Sequence, residues 1–191
     1  MIPLIYQEDT DYLPRTEQIW VKHNEALSRL CHISKNLYNE ANYIIRQEFA
    51  RKDKEGNNCG SYLPSNIIDY LINNKSENYR KLPAKTAQQI LKILDRNWKS
   101  FFGAMKEWKI HPEKFLGRPG LPGYLKKDGE FVLYFTDQQV RIIENNSGNS
   151  TIKFPKILNI LNYKSVIIKK CNQRIKNNSK RDRIFNRFGL L

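Results

Sequence analysis

The sequence predicts an α+β protein in which a helical insertion interrupts a small barrel or sheet. Two long stretches place apolar residues at spacings of three and four, and a later block of short β-rich runs is broken by turn residues. A further β-rich run precedes the helices, so strands bracket them.

Taken in order, residues 16–22 (TEQIWVK) alternate and are β-rich enough for a first short strand. Residues 23–52 then run without Gly or Pro, and Leu27, Leu30, Leu37, Ala41, Ile44 and Ile45 make one apolar face of a long helix. Glu55, Gly56, Asn57 and Asn58 end it. Residues 63–72 predict a shorter helix with Ser65 as its N-cap. Pro83 stands where an initial helical proline belongs. The stretch after it, residues 84–109, carries Ala84, Ala87, Leu91, Leu94, Trp98, Phe101, Met105 and Trp108 at helical spacing. From His111 the texture changes. Pro112, Pro119 and Pro122 with Gly117, Gly120, Gly123 and Gly129 forbid a continuous helix or a central strand and predict an extended loop. Four short runs follow, FVLYFT, QVRII, TIKFP and KSVIIK, separated by Asp137, residues 145–149 and residues 159–162. There is no internal repeat.

Length and composition bound the function. The chain has 191 residues, of which 40% are hydrophobic, enough for a packed core in one or two domains. Its 33 Lys and Arg exceed 19 Asp and Glu by fourteen charges, which points to a polyanionic partner. The excess is uneven: residues 1–50 hold 5 basic and 7 acidic groups, residues 51–191 hold 28 and 12. Residues 151–191 carry 11 basic groups and one acid, Asp182, a block that fits either a nucleic-acid contact or a solvated, disordered end. No apolar run approaches the roughly 18 to 20 residues that span a bilayer, and the first residues lack the pattern of a secretion signal. A cytosolic protein is expected. Cys31, Cys59 and Cys171 stand apart with no Cys-x-x-Cys pair, so neither a disulfide framework nor a zinc ribbon is written here.

Three constellations are candidates for binding. Lys85, Gln89, Lys92, Arg96, Lys99 and Lys106 fall at spacings of four, three, four, three and seven, one stripe opposite the apolar face of the second long helix. Such a stripe suits a phosphate backbone, and equally an ordinary solvated face. Lys35, Asn39, Asn42 and Arg46 form a row on the first helix whose amides and cations suit sugar and base contacts, or a plain polar surface. In the loop, Arg118, Lys126 and Lys127 accompany Tyr124, an aromatic able to stack on an unpaired base. The alternative there is that Phe115, Leu121 and Tyr124 pin the loop to the body. Catalytic signatures are missing: there is no Gly-x-Ser-x-Gly, no Gly-rich phosphate loop, and His23, His32 and His111 have no nucleophile pattern about them. Cys31 beside His32 reads as a buried helix cysteine next to a surface histidine rather than a metal pair. A two-metal nuclease needs converging carboxylates, whereas Glu130, Asp137 and Glu144 sit near turns.

The segments KNLYNEANYIIRQEF, LPAKTAQQILKILDRNWKSFF and FLGRPGLPGYLKKDGEFVLYFT together resemble, over roughly residues 15–156, the N-terminal half of TnpB, the OrfB-type family of transposon proteins. That family comprises RNA-guided DNA endonucleases of insertion sequences, traditionally labelled transposases. The resemblance implies a wedge-like β-barrel interrupted by a helical recognition lobe, both gripping guide RNA and the guide–target heteroduplex. It implies an N-terminal segment and first barrel strand at 1–23, a helical lobe at 24–110, the proline loop and remaining strands at 111–170, and a poorly ordered basic tail at 171–191. By the same resemblance Asn39, Arg46, Lys92, Arg96, Lys99, Arg118, Lys126 and Lys127 face nucleic acid, and base pairing supplies sequence specificity. Two features depart from the family. Gly120 and Gly123 stand where it tends to carry Lys or Arg. The metal-binding RuvC-like domain and zinc ribbon that follow in the family have no counterpart, and Ile, Asn, Lys and Arg make up 21 of residues 157–191, a composition that AT-rich codons give in any frame. The expectation is a truncated TnpB-like protein with a frameshifted tail and no cofactor of its own. It binds nucleic acid without cutting it, in a prokaryotic cytoplasm near the nucleoid. An RNA-binding regulator, a subunit of a split nuclease completed by a RuvC chain in trans, and a non-functional remnant are the alternatives.

Overall fold

The computed structural model describes residues 25–136, 138–144, 149–153 and 166–169. The strand expected at 16–22 and the basic tail at 171–191 lie outside them. Helix α1 spans Glu25–Phe49, α2 Ser65–Ile72, α3 Glu77–Arg80 and α4 Ala84–Ile110, followed by a 3-10 turn at Pro112–Lys114. Strands β1 (Arg141–Glu144), β2 (Asn149–Lys153) and β3 (Val166–Lys169) come last.

Both long helices follow the apolar spacing. Leu27, Leu30, Leu37, Ala41 and Ile45 of α1 meet Ala87, Ile90, Leu91, Leu94 and Trp98 of α4, with Ile68 and Ile72 of α2 completing the core. Each fully buried Leu or Ile stabilises by roughly 1.5–3 kcal/mol. An aromatic group closes one end: Phe49, Tyr62, Trp98 and Phe102 place their ring centroids 5.2 to 5.8 Å apart. After α1 the chain turns through Asp53, whose carboxylate accepts from the amides of Glu55 and Asn57 at 3.0 and 2.7 Å, and Gly56 adopts φ 83°. Gly60 then passes so close to the end of α1 that a Cβ there would lie 2.6 Å from the Phe49 carbonyl oxygen.

Ser65 is not the N-cap of α2. Pro64 occupies the cap position, and the free Ser65 N–H donates to Asp95 on α4 at 3.1 Å, which brings a carboxylate to the helix start. Pro83 likewise precedes α4 as its cap residue rather than opening it. Helix α3 went unforeseen; its four residues are too few for periodicity, although Ser76 caps it by accepting from the Tyr79 amide at 3.1 Å.

The expected wedge-like β-barrel is corrected. The described residues are predominantly helical, and their strands form only an open antiparallel meander, β1-β2-β3, pairing Ile142 with Ile152 and Thr151 with Ile167. Closure would require both edges to pair, and among the described residues neither outer strand has a further partner. The physical reason lies in residues 131–136. FVLYFT has the composition of a strand, but it lies extended along α1: the Phe131 amide donates to the Cys31 carbonyl at 3.0 Å, and Ser34 Oγ donates to the Val132 carbonyl at 2.9 Å. Leu133 and Phe135 enter the helical core, so the run finds its burial against a helix instead of a sheet. Gln139 ties the next turn to α4 by donating to Thr86 Oγ1 at 3.2 Å and accepting from the Thr136 amide at 3.0 Å.

Candidate nucleic-acid interface

The polar row on α1 has an internal partner. Its side chains hold the proline-rich loop, which runs back along the helix in the opposite direction. Lys35 Nζ donates to the Lys127 carbonyl. Asn39 clamps Leu125 from both sides, donating to its carbonyl at 3.0 Å and accepting from its amide at 2.9 Å. Asn42 Nδ2 donates to the carbonyls of Pro122 and Gly123 at 3.0 and 3.2 Å, while its Oδ1 accepts from the Trp98 indole N–H at 3.0 Å. Arg46 donates to the Pro122 carbonyl and lies 4.6 Å from the centre of the Tyr124 ring. Beyond this ladder, Ser28 donates to Glu130, and His32 Nδ1 lies 3.2 Å from the Gly129 carbonyl.

A loop rich in Pro and Gly has few side chains of its own to satisfy its carbonyls, so donors at 35, 39, 42 and 46 supply them. At Lys35 and Asn42 this loop contact takes the place of the expected sugar and base contacts, while Asn39 and Arg46 are half-buried. Lys35 is 3% exposed and Asn42 is fully buried, so neither meets an outside ligand unless the loop lifts. Nor is the row a plain polar surface, since all four side chains donate to carbonyls of the loop. Backbone carbonyls anchor the loop, Leu125 packs against the helical core, and Tyr124 stays 49% exposed with one face on Arg46.

The second stripe is open to solvent. Lys85, Lys92, Arg96, Lys99 and Lys106 all stand exposed on α4, with Gln89 half-buried between them. Lys99 pairs with Asp95 at 2.7 Å; Lys85, Lys92, Arg96 and Lys106 meet no carboxylate within ion-pair distance among the described residues. Burial alone would raise the Asp95 carboxyl, but donors from Lys99, Tyr62 and the Ser65 amide outweigh it and hold the group below the ordinary aspartate range. Arg118, Lys126 and Lys127 are exposed in the loop.

The stripe drifts around α4, because 3.6 residues per turn do not match its spacing, and at Lys106 it reaches the edge of a cleft. This cleft, of about 580 Å³, lies between α4 and the loop, floored by Phe49, Phe101, Phe102, Met105 and Leu121 and rimmed by Lys106, Lys109 and Arg118. The sequence reading missed Lys109, although it lies one turn beyond Lys106; its partner across the cleft, Arg118, is nine residues on and becomes a neighbour only when the loop folds back.

Cys31 is 2% exposed, and burial, then the nearby Glu130 charge, push its thiol up to about 12, so it stays protonated and inert. No group of three or more His, Cys, Asp or Glu that could hold a metal occurs among the described residues, and no described helix is long and apolar enough to cross a membrane. Neither the protein-family models nor the curated proteins give a match to this sequence.

Proposed function

We propose that this chain is the nucleic-acid-binding part of a TnpB-like transposon protein, gripping RNA and RNA–DNA heteroduplex through their backbones in the cytoplasm. The observation that carries the reading is the open face of α4, where Lys85, Lys92, Arg96 and Lys106 follow one slowly drifting stripe with no carboxylate within ion-pair distance among the described residues. The resemblance of residues 15–156 to that family and the net charge of +14 support it. The reading gives the chain no bond-breaking step of its own. Three carboxylates are engaged in the fold: Glu40 accepts from Ser76 and Asn78, Asp69 from Tyr79, and Asp95 from Tyr62.

The test is to purify the chain without nuclease treatment and sequence the RNA that accompanies it. One enriched RNA mapping beside the gene, at a transposon end, is the expected result. Protein that carries no RNA, or a random sample of cellular RNA, contradicts the proposal.

A further inference from the structure

We propose that the cleft between α4 and the proline-rich loop receives one unpaired base of a single-stranded nucleic acid, with the flanking phosphates on Lys106, Lys109 and Arg118. The proposal rests on the nucleic-acid reading above and adds to it a base site and a preferred strand state.

The cleft's volume of about 580 Å³ lies within the range of roughly 300–1,000 Å³ usual for ligand sites. Its floor is apolar and aromatic, from Phe101, Phe102 and Met105 of α4 with Phe49 of α1. That floor is braced from behind, since Phe102 packs on Phe49, Tyr62 and Trp98 at centroid distances of 5.8, 5.2 and 5.8 Å. Bracing keeps the cleft from collapsing and presents ring surface to a flat partner. The rim decides what that partner is. Lys106, Lys109 and Arg118 are exposed and form no ion pair among the described residues, so an apolar peptide side chain filling the cleft would leave three cations unmatched. A nucleotide supplies both halves, a π-face for the floor and phosphates for the rim. Lys106 belongs to the α4 stripe and to the rim alike, so a strand tracked along the stripe arrives at the cleft. A blunt duplex keeps its bases stacked inside and has none to offer.

The probes are a 12-nucleotide unstructured RNA containing 4-thiouridine and a blunt RNA duplex of matched length, bound to the wild type, to Met105→Trp, which fills the cleft, and to Lys109→Glu, an exposed rim change that spares the core. The wild type is expected to prefer the single strand by roughly tenfold, the size of one base–aromatic stack. Photo-crosslinks are expected at Phe101, Phe102 or Met105. Either substitution should erase most of that preference while duplex affinity falls much less. Strand preference unchanged in both variants, or crosslinks confined to the Lys85 to Arg96 part of the stripe, overturns the base site and leaves the nucleic-acid reading standing. Failure of the wild type to bind either probe overturns both. A concentration-dependent dimer abolished by Met105→Trp, with strand preference intact, makes a second copy the occupant and likewise overturns the proposal.

Discussion

Replacing Asn42 by alanine removes the junction at which α1, α4 and the loop meet. One amide accepts from the Trp98 indole N–H at 3.0 Å and donates to the Pro122 and Gly123 carbonyls at 3.0 and 3.2 Å. Trp98 and Asn42 are both fully buried, so in the variant the indole N–H has no water to turn to, a loss of about 1–3 kcal/mol. Gly123 is exposed and recovers hydration, and the half-buried Pro122 carbonyl keeps Arg46 as a donor, so the two carbonyls cost less, about 0.5 kcal/mol each. The small void left by the amide adds roughly 0.5 kcal/mol. The expected total is about 3 kcal/mol, a fall of roughly 6–12 °C in Tm for a chain of this size. Thermal and urea melts followed by circular dichroism read the stability, and amide exchange at Leu125 reads whether the loop has loosened. Asn39→Ala, which leaves partly exposed groups unpaired, should cost about 1 kcal/mol. An Asn42→Ala protein within 0.5 kcal/mol of the wild type, with Leu125 equally protected, would refute the assignment of this amide as the buried anchor of the loop.

Three further outcomes follow from the same contacts. Gly60→Ala drives a methyl group into the carbonyl oxygens of Glu48 and Phe49 and should lower Tm through forced backbone movement, whereas Gly103→Ala, with open space at its Cβ, should not lower it. Asp95 has its carboxyl held below the ordinary value, so its contribution is present above about pH 3.9 and is lost as pH falls from there through the native value. Urea melts from pH 6 to pH 3 should therefore show an acid-side decline that is shallower in Asp95→Asn. Gly120→Lys and Gly123→Lys introduce cations at positions where a Cβ meets nothing within 4 Å. Each should strengthen RNA binding about fivefold to eightfold at 0.1 M salt, one added phosphate contact apiece, as measured by fluorescence anisotropy.

The parts of the fold that were legible in the sequence are those whose partner is implied by their own pattern. Leu27, Leu30, Leu37 and Ala41, or Ala87, Leu91, Leu94 and Trp98, can be buried together only on a helix, and they are. The FVLYFT run misled because β-rich composition asks for a half-buried extended path and does not say whether a strand or a helix provides the other half. Here Cys31 and Ser34 of α1 provide it. Both polar rows share one spacing, so periodicity alone could not separate Lys85, Lys92 and Arg96, which stand open, from Lys35, Asn39 and Asn42, which hold a loop some eighty residues away. The composition of the α1 row held the usable signal: amides directly match backbone carbonyls, and the chain contains a donor-poor stretch, residues 119–123, in need of them.

The salt dependence of RNA binding tests the central claim most directly, with the wild type compared against Lys85→Ala/Lys92→Ala/Arg96→Ala and against Asn39→Ala. If the open face of α4 tracks the backbone, the triple variant should lose about two units from the slope of log affinity against log salt, roughly 0.7 for each single-strand phosphate contact removed. Asn39→Ala, whose amide serves Leu125, should keep the wild-type slope. A triple variant with the slope unchanged, or a slope that falls with Asn39 instead, would contradict the account.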